Sequence, residues 1–250
     1  MTSSNPLRLA LLGYGKMGRA VETAALERGH SIAAIIDPAQ GEAYSDELAR
    51  SGAQVAIDFT TGSAVIDNVR EMASAGLDLV VGTTGWDDRV AEAHRIVKGS
   101  EIGMIHSPNF AIGVHIFRKV VELAASLVDQ VGLYDVGVSE SHHQQKLDTP
   151  SGTAIHIAEA ILVRMRAKDD WEKGPPHGAS DPGRLYVSST RSGEIPGTHV
   201  VSFEGPLDRI YLKHEALDRS VFAQGAVIAA EWVHGRRGMF TIDDFFSGEG

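Results

Sequence analysis

The chain has 250 residues, 43% hydrophobic and 22% charged, with a formal net charge of −10 from 33 acidic and 23 basic side chains. That length supports one large or two modest hydrophobic cores, and the acidic balance argues against a nucleic-acid or anionic-membrane surface. The absence of cysteine excludes disulfides, a thiolate nucleophile and cysteine-bound metal. No apolar run approaches membrane-spanning length and the N-terminus has no basic targeting region, so a cytoplasmic location is expected.

Residues 7–12 form a short apolar run that ends at Gly13-Tyr14-Gly15-Lys16-Met17-Gly18. A helical pattern through Val21, Ala24, Ala25 and Leu26 follows, then a second strand over 31–36 that ends at Asp37. This is the strand, G-x-G-x-x-G, helix, strand, acid order of a dinucleotide-binding βαβ unit. Gly13 permits the tight turn, Gly15 lets a pyrophosphate approach the backbone, Gly18 lets the helix pack close to the sheet, and the acid accepts hydrogen bonds from ribose hydroxyls.

The α/β rhythm continues with strands over 54–59, 78–81 and 102–105 and helices over 64–75 and 87–97. Polar and glycine residues recur at the carboxyl ends of these strands: Thr60-Thr61, Gly82-Thr83-Thr84-Gly85 and His106-Ser107-Pro108-Asn109-Phe110. In an open parallel sheet those ends line one ligand-binding crevice. A long helix over 113–128 leads into a second domain. A strand over 131–138, a polar loop over 167–184, strands over 185–189, 199–204 and 210–215, a helix over 221–233 and a short apolar end over 239–246 complete the chain. The later strands suggest a mixed sheet covered on one face by the helices over 113–128 and 151–166.

Between the strand over 131–138 and the next helix lies Glu140-Ser141-His142-His143-Gln144-Gln145-Lys146-Leu147-Asp148-Thr149-Pro150-Ser151-Gly152-Thr153. Thr149 suits a helix cap and Pro150 a first turn. Ser151, Gly152 and Thr153 then place free N–H groups and small hydroxyls at the positive end of a helix, a ready anion site. Proton donors beside an anion site point to an enzyme acting on a small carboxylate or phosphate. A metal at His142-His143 is not expected: adjacent histidines point apart, no carboxylate stands at the required spacing, and Lys146 would repel the ion.

With these residues placed, the chain resembles the 4-hydroxy-tetrahydrodipicolinate (dihydrodipicolinate) reductases of lysine and diaminopimelate biosynthesis, nearly end to end. The most specific match is the stretch from Glu140 to Ala154, against E-x-H-H-x-x-K-x-D-x-P-S-G-T-A. Gly13 to Gly18, Gly82 to Gly85, Ser107 to Phe110 and the stretch from Arg191 to His199 support it. The resemblance implies a Rossmann-type α/β domain over 1–110 and 220–250 and an α+β substrate domain with a mixed sheet over 111–219, whose sheet assembles a homotetramer. It implies that Gly13, Tyr14, Gly15, Lys16, Met17 and Gly18 hold the dinucleotide phosphates and Asp37 the adenosine ribose. Gly82, Thr83, Thr84, Ser107, Pro108, Asn109 and Phe110 would flank the nicotinamide half. His142 and Lys146 would supply protons, and His143, Ser151, Gly152 and Thr153 would bind a dicarboxylate.

The implied substrate is a cyclic imine dicarboxylate whose 4-hydroxyl leaves as water. Hydride reaches C4 of the unsaturated ring, and charge moving toward the ring nitrogen and C3 calls for a proton that either His142 or Lys146 can give. Two domains imply hinge closure around 111–113 and 219–220. Many relatives have arginine after the ribose-binding acid; here Pro38 follows Asp37, so NADH is expected to be preferred, with NADPH also used. Gln144-Gln145 stand where several relatives carry an arginine and a third histidine. Two alternatives are a different nicotinamide dehydrogenase and a dinucleotide-sensing regulator; neither calls for His142, His143, Lys146 and Ser151 to Thr153 together.

Overall fold

The computed structural model describes residues 5–37, 48, 50–176 and 178–248. In chain order the regular elements are β1 (Arg8–Leu12), α1 (Lys16–Glu27), β2 (Ser31–Ile36), β3 (Val55–Asp58), α2 (Val65–Ala75), β4 (Asp78–Val81), α3 (Val90–Lys98), β5 (Gly103–His106) and α4 (Ile112–Val131). Then follow β6 (Asp135–His142), α5 (Gly152–Leu162), β7 (Asp170–Gly174), β8 (Arg184–Arg191), β9 (Gly197–Glu204), β10 (Arg209–Ala216), α6 (Ser220–Val233), β11 (Gly238–Thr241) and α7 (Ile242–Ser247). They divide into two compact units, one of residues up to Ala111 together with those from Ser220 on, the other Ile112–Arg219.

The first unit is an open parallel sheet in the order β11-β5-β4-β3-β1-β2. The chain leaves β1 for β2 on one side and returns to β3 on the other, so the switch point lies between β1 and β3, beside the Gly13 turn. Its central strands β1, β3, β4 and β5 are buried on both faces, as a doubly covered parallel sheet requires, while the edge strands β2 and β11 are only partly buried. Ala10, Leu12, Ala56, Leu79, Val81 and Met104 pack with Val65, Ile66, Val69 and Met72 of α2 and Ala93 and Val97 of α3. The alternate residues Leu9, Leu11, Val55, Ile57, Val80 and Ile105 are equally buried, on the face where α1 and α6 pack. Each fully buried Val, Leu, Ile or Met side chain contributes roughly 1.5–3 kcal/mol, the alanines less.

The second unit is a mixed sheet in the order β10-β9-β6-β8-β7, with β6, β8 and β7 mutually parallel and β9 and β10 antiparallel. Its core joins Val136, Val138, Leu185, Val187, Val201 and Phe203 of the sheet to Phe117, Val121 and Ala125 of α4 and Ile157, Ala158 and Ile161 of α5. The sheet is thus covered on one face by two helices, as the sequence pattern implies. No described helix is long and apolar enough to cross a membrane.

Three readings need correction, and one gains detail. The strand expected over 131–138 starts later: α4 runs to Val131, Gly132 follows it at φ +68, and β6 spans Asp135–His142. The shift puts Glu140 and His142 on the strand and not in a loop. The helix after it begins at Gly152 and is capped by Ser151, whose hydroxyl accepts from Ala154 N; Thr149 and Pro150 precede the cap. The polar loop over 167–184 contains β7, an edge strand made of Asp170, Trp171, Glu172, Lys173 and Gly174 and paired only with β8. The apolar end is β11, which adds an edge strand to the first sheet, and α7.

Candidate active site

In the first unit, Gly13 adopts φ +83, and a β-carbon there would lie 2.8 Å from the Phe59 carbonyl oxygen. At Gly18 it would lie 2.2 Å from the Gly13 carbonyl oxygen; only glycine lets the helix approach the turn this closely. Gly15 caps α1 with no side-chain cap bond, and nothing lies within 4 Å of where its β-carbon would be. The start of α1, with Lys16 and Met17 in its first turn, therefore presents backbone N–H groups to open space, the fit a pyrophosphate needs. Asp37 follows β2 beside this turn, since Gly13 N donates to Ile36 O at 2.8 Å. Tyr14 is held by a hydroxyl bond to Glu22 and lies under the Arg19 guanidinium. Pro38 falls outside the described residues.

The loops after β3, β4 and β5 are wired from below. Asp58, the fully buried last residue of β3, accepts Thr60 N at 2.8 Å, Thr60 Oγ1 at 2.7 Å, Thr83 Oγ1 at 3.0 Å and Asn68 Nδ2 at 2.7 Å. Burial pushes its carboxyl up, against the pull of those four hydrogen bonds. Thr83 is buried and its carbonyl accepts Trp86 Nε1 at 2.8 Å, while Thr84 is exposed. Ser107 Oγ donates to Asn109 O at 2.7 Å, and Asn109 Oδ1 accepts Ala111 N at 2.8 Å. Pro108 is exposed and Phe110 buried. The Ser107 hydroxyl shapes its own loop.

In the second unit, successive alternate residues of β6 point to one face, so Glu140 and His142 sit side by side. The Glu140 carboxylate pairs with His142 Nδ1, and its side chain is 0% exposed. Arg191 closes a fork on it, with Nη1 at 3.0 Å from Oε2 and Nη2 at 2.8 Å from Oε1. Burial pushes Glu140 up, but hydrogen bonds from His142 and Arg191 outweigh it and hold the group at about 2. An ionised Glu140 is an acceptor only, so it fixes Nδ1 as the donor and leaves Nε2 as the working nitrogen. Gly197 lies against that ring; a β-carbon there would be 3.0 Å from Nε2.

Lys146 sits in the turn after β6, its N–H donating to His143 O at 3.2 Å and its ammonium 2.8 Å from Asp148 Oδ1. Asp148 Oδ2 accepts Gly152 N at 3.3 Å. Burial pushes the Asp148 carboxyl up, but the Lys146 hydrogen bond and charge leave it below its ordinary range. Ser151 is spent internally: its N–H donates to Glu140 Oε1 at 3.3 Å, its hydroxyl caps Ala154, and that hydroxyl lies 3.3 Å from His199 Nε2. Gly152 is exposed and Thr153 half-buried at the same helix start. His143 Nε2 lies 3.5 Å from Arg219 Nη2. His142, His143, Lys146, Ser151, Gly152 and Thr153 thus gather in one place. Glu140, Arg191 and His199 lie in stretches that carry the resemblance but receive no role there, and Asp58 lies in none of them. The signal for Glu140 was its two-residue spacing from His142 on a strand; Arg191 and His199 are brought in only by sheet pairing.

A parallel α/β unit with a glycine turn beside an acid, joined to an α+β unit with a histidine–lysine pair at a helix start, defines a two-unit NAD(P)H-dependent oxidoreductase of Rossmann type. Two family profiles cover nearly all of the chain: dihydrodipicolinate reductase, N-terminus, over residues 7–110, and dihydrodipicolinate reductase, C-terminus, over 113–246. The 4-hydroxy-tetrahydrodipicolinate reductase of Christiangramia forsetii is 35% identical over 96% of this chain and 98% of its own. That of Archaeoglobus fulgidus is 35% identical over 96% and 99%. A dipicolinate-bound dihydrodipicolinate reductase structure from Paenisporosarcina sp. superposes with a TM-score of 0.76 at 25% identity, covering 95% of this chain and 98% of that one. An oxidoreductase from Agrobacterium radiobacter, TM-score 0.57 at 13% identity over 98% and 90%, shares the fold alone. The chain belongs to the dihydrodipicolinate reductase family.

Proposed function

We propose that the protein reduces 4-hydroxy-tetrahydrodipicolinate to tetrahydrodipicolinate with loss of water, using a nicotinamide dinucleotide, in lysine and diaminopimelate biosynthesis. One observation carries the reading. The Asp148 carboxylate bridges the Lys146 ammonium at 2.8 Å and Gly152 N at 3.3 Å, so the donors at the start of α5 are already organised around a carboxylate, next to His142. A substrate carboxylate meets the same ammonium and N–H groups, with Thr153 and His143 as further donors. The names of the relatives, and the dipicolinate held by the Paenisporosarcina protein, support a cyclic dicarboxylate as the ligand.

A nicotinamide dinucleotide, when bound, would supply the hydride for C4 of the ring. The chain's own groups hold the carboxylates and deliver the proton that balances that hydride. His142 is the oriented donor: ionised Glu140 accepts from Nδ1 and stabilises the imidazolium, whose Nε2–H is the proton given, leaving the neutral Nδ1–H ring; Lys146 is the second donor and an electrostatic anchor. Gly13 to Gly18 and Asp37 hold the adenosine half, and the residues after β4 and β5 the nicotinamide half. NADH is preferred because the Asp37 carboxylate repels a 2′-phosphate and Pro38 supplies no guanidinium. The unit-2 sheet face opposite α4 and α5, with Gly137, Ser139, Ser188 and Ser202, is the surface on which a homotetramer assembles.

The test is NADH oxidation with the freshly formed condensation product of pyruvate and aspartate semialdehyde. Rapid turnover is expected. Normal NADH binding without turnover of that product would overturn the reading in favour of another dehydrogenase.

A further inference from the structure

The Arg191 guanidinium makes more contacts than a salt bridge requires. Besides its fork on Glu140, Nη2 donates to Asp148 O at 2.7 Å and lies 3.3 Å from Thr149 Oγ1. Nη1 also donates to Thr190 O at 2.8 Å. Arg191 stands directly opposite His142 in the β6–β8 ladder. One side chain therefore grips the carboxylate that fixes the His142 ring and the backbone of the residue whose carboxylate holds Lys146. The planar fork can satisfy both at once, whereas a lysine ammonium cannot.

We propose that Arg191 is the positioning residue for both proton donors, acting on His142 through Glu140 and on Lys146 through Asp148. The inference rests on the reading that these two groups deliver protons in the reaction. A purely structural Arg191 would serve only to neutralise buried Glu140. The two roles differ in what they predict. Neutralisation needs a charge; positioning needs the fork. If Arg191 positions the donors, replacing it displaces Nε2 and the ammonium and changes the tautomer balance of His142.

The experiment uses the full-length protein and Arg191→Lys. Expected are a fall in kcat of at least about tenfold, since small misplacements of reacting groups are costly, and a moved midpoint in the pH–kcat profile. NADH affinity should stay unchanged, and the ring nitrogen NMR shifts of 15N-labelled His142 should move away from the Nδ1–H form. Glu140→Asp, which keeps the charge and withdraws the carboxylate by one methylene, supplies the second arm and must reproduce these changes. Wild-type kcat, pH midpoint and His142 shifts in whichever variant folds, with only a lower Tm, would overturn the proposal. An inactive wild-type enzyme would remove the underlying reading, and the His142 shifts would still decide whether Arg191 positions the ring.

Discussion

The His199 imidazole meets that of His142 edge-on, with ring centroids 5.2 Å apart and planes at 73°. His199 is 4% exposed, and its Nδ1 finds no partner among the described residues. Burial, then the positive charges of His142, His214 and Lys146, lower it to about 4, with Glu140 opposing. His142 therefore rests on a histidine that stays neutral at neutral pH, which adds no competing charge beside the proposed proton donor.

This has a consequence for stability. The folded-state value lies below the ordinary histidine value of about 6.5. As pH falls through 6.5 the unfolded chain takes up a proton that the folded chain refuses until about pH 4. Stability is lost across that window, by on the order of 3 kcal/mol from this group. Urea unfolding of wild type and His199→Gln between pH 7.5 and 4 checks it: the variant should show the flatter pH dependence. Parallel slopes would show that His199 is not the linked group.

Glu140 acts in a lower window. It is held at about 2, below its unfolded value, so its contribution is fully present above about pH 4.5 and is lost as pH falls toward 2. Glu140→Gln should unfold with less pH dependence than wild type below pH 4.5, while being less stable at neutral pH. An equally steep acid limb in the variant would contradict the ionised, clamped Glu140.

Asp58 ties the loops after β3 and β4 together through Thr60 and Thr83. Thr83→Val removes one of its donors while keeping side-chain shape. The expected loss is about 1 kcal/mol of NADH affinity, several-fold in Kd, with dicarboxylate binding unchanged. Fluorescence titration of NADH and calorimetry with dipicolinate measure the two separately. An effect confined to dicarboxylate binding would remove Thr83 from the cofactor loops.

The proposed preference for NADH rests on charge. Like charges about 4 Å apart near a protein surface cost roughly 4 kcal/mol, so kcat/KM should favour NADH at physiological salt. The double change Asp37→Ser with Pro38→Arg should move the preference toward NADPH. A wild-type enzyme that favours NADPH would show that Asp37 turns away from the ribose.

The sequence carried some of this better than the rest. Gly13, Gly18 and Asp37 were legible because each answers a local steric or hydrogen-bonding need at a fixed distance from a strand. The start of α5 was legible for the same reason, although the cap is Ser151 and not Thr149. β7 was hidden because an edge strand of Asp170, Glu172 and Lys173 has no apolar alternation to read. β11 was hidden because four residues cannot display a period. Glu140 and Arg191 were each visible in a motif, but their pairing was not: the strand ladder places Arg191 opposite His142, and two separate stretches of sequence cannot show that. Asp58 closes an apolar run, and only burial shows that its carboxylate gathers two loops.

In the proposed reaction His142 and Lys146 deliver protons to a dicarboxylate held at the start of α5, and one comparison of variants decides whether they do. That comparison measures kcat on the condensation product alongside NADH affinity in Lys146→Ala, with His142→Gln beside it. Loss of one general acid typically costs on the order of a hundredfold or more. Expected are at least that loss of kcat in each variant, an NADH Kd within twofold of wild type in both (about 0.4 kcal/mol), and a flattened pH–rate profile in His142→Gln. Near-normal turnover in Lys146→Ala, or an unchanged pH profile in His142→Gln, would contradict proton delivery by that residue.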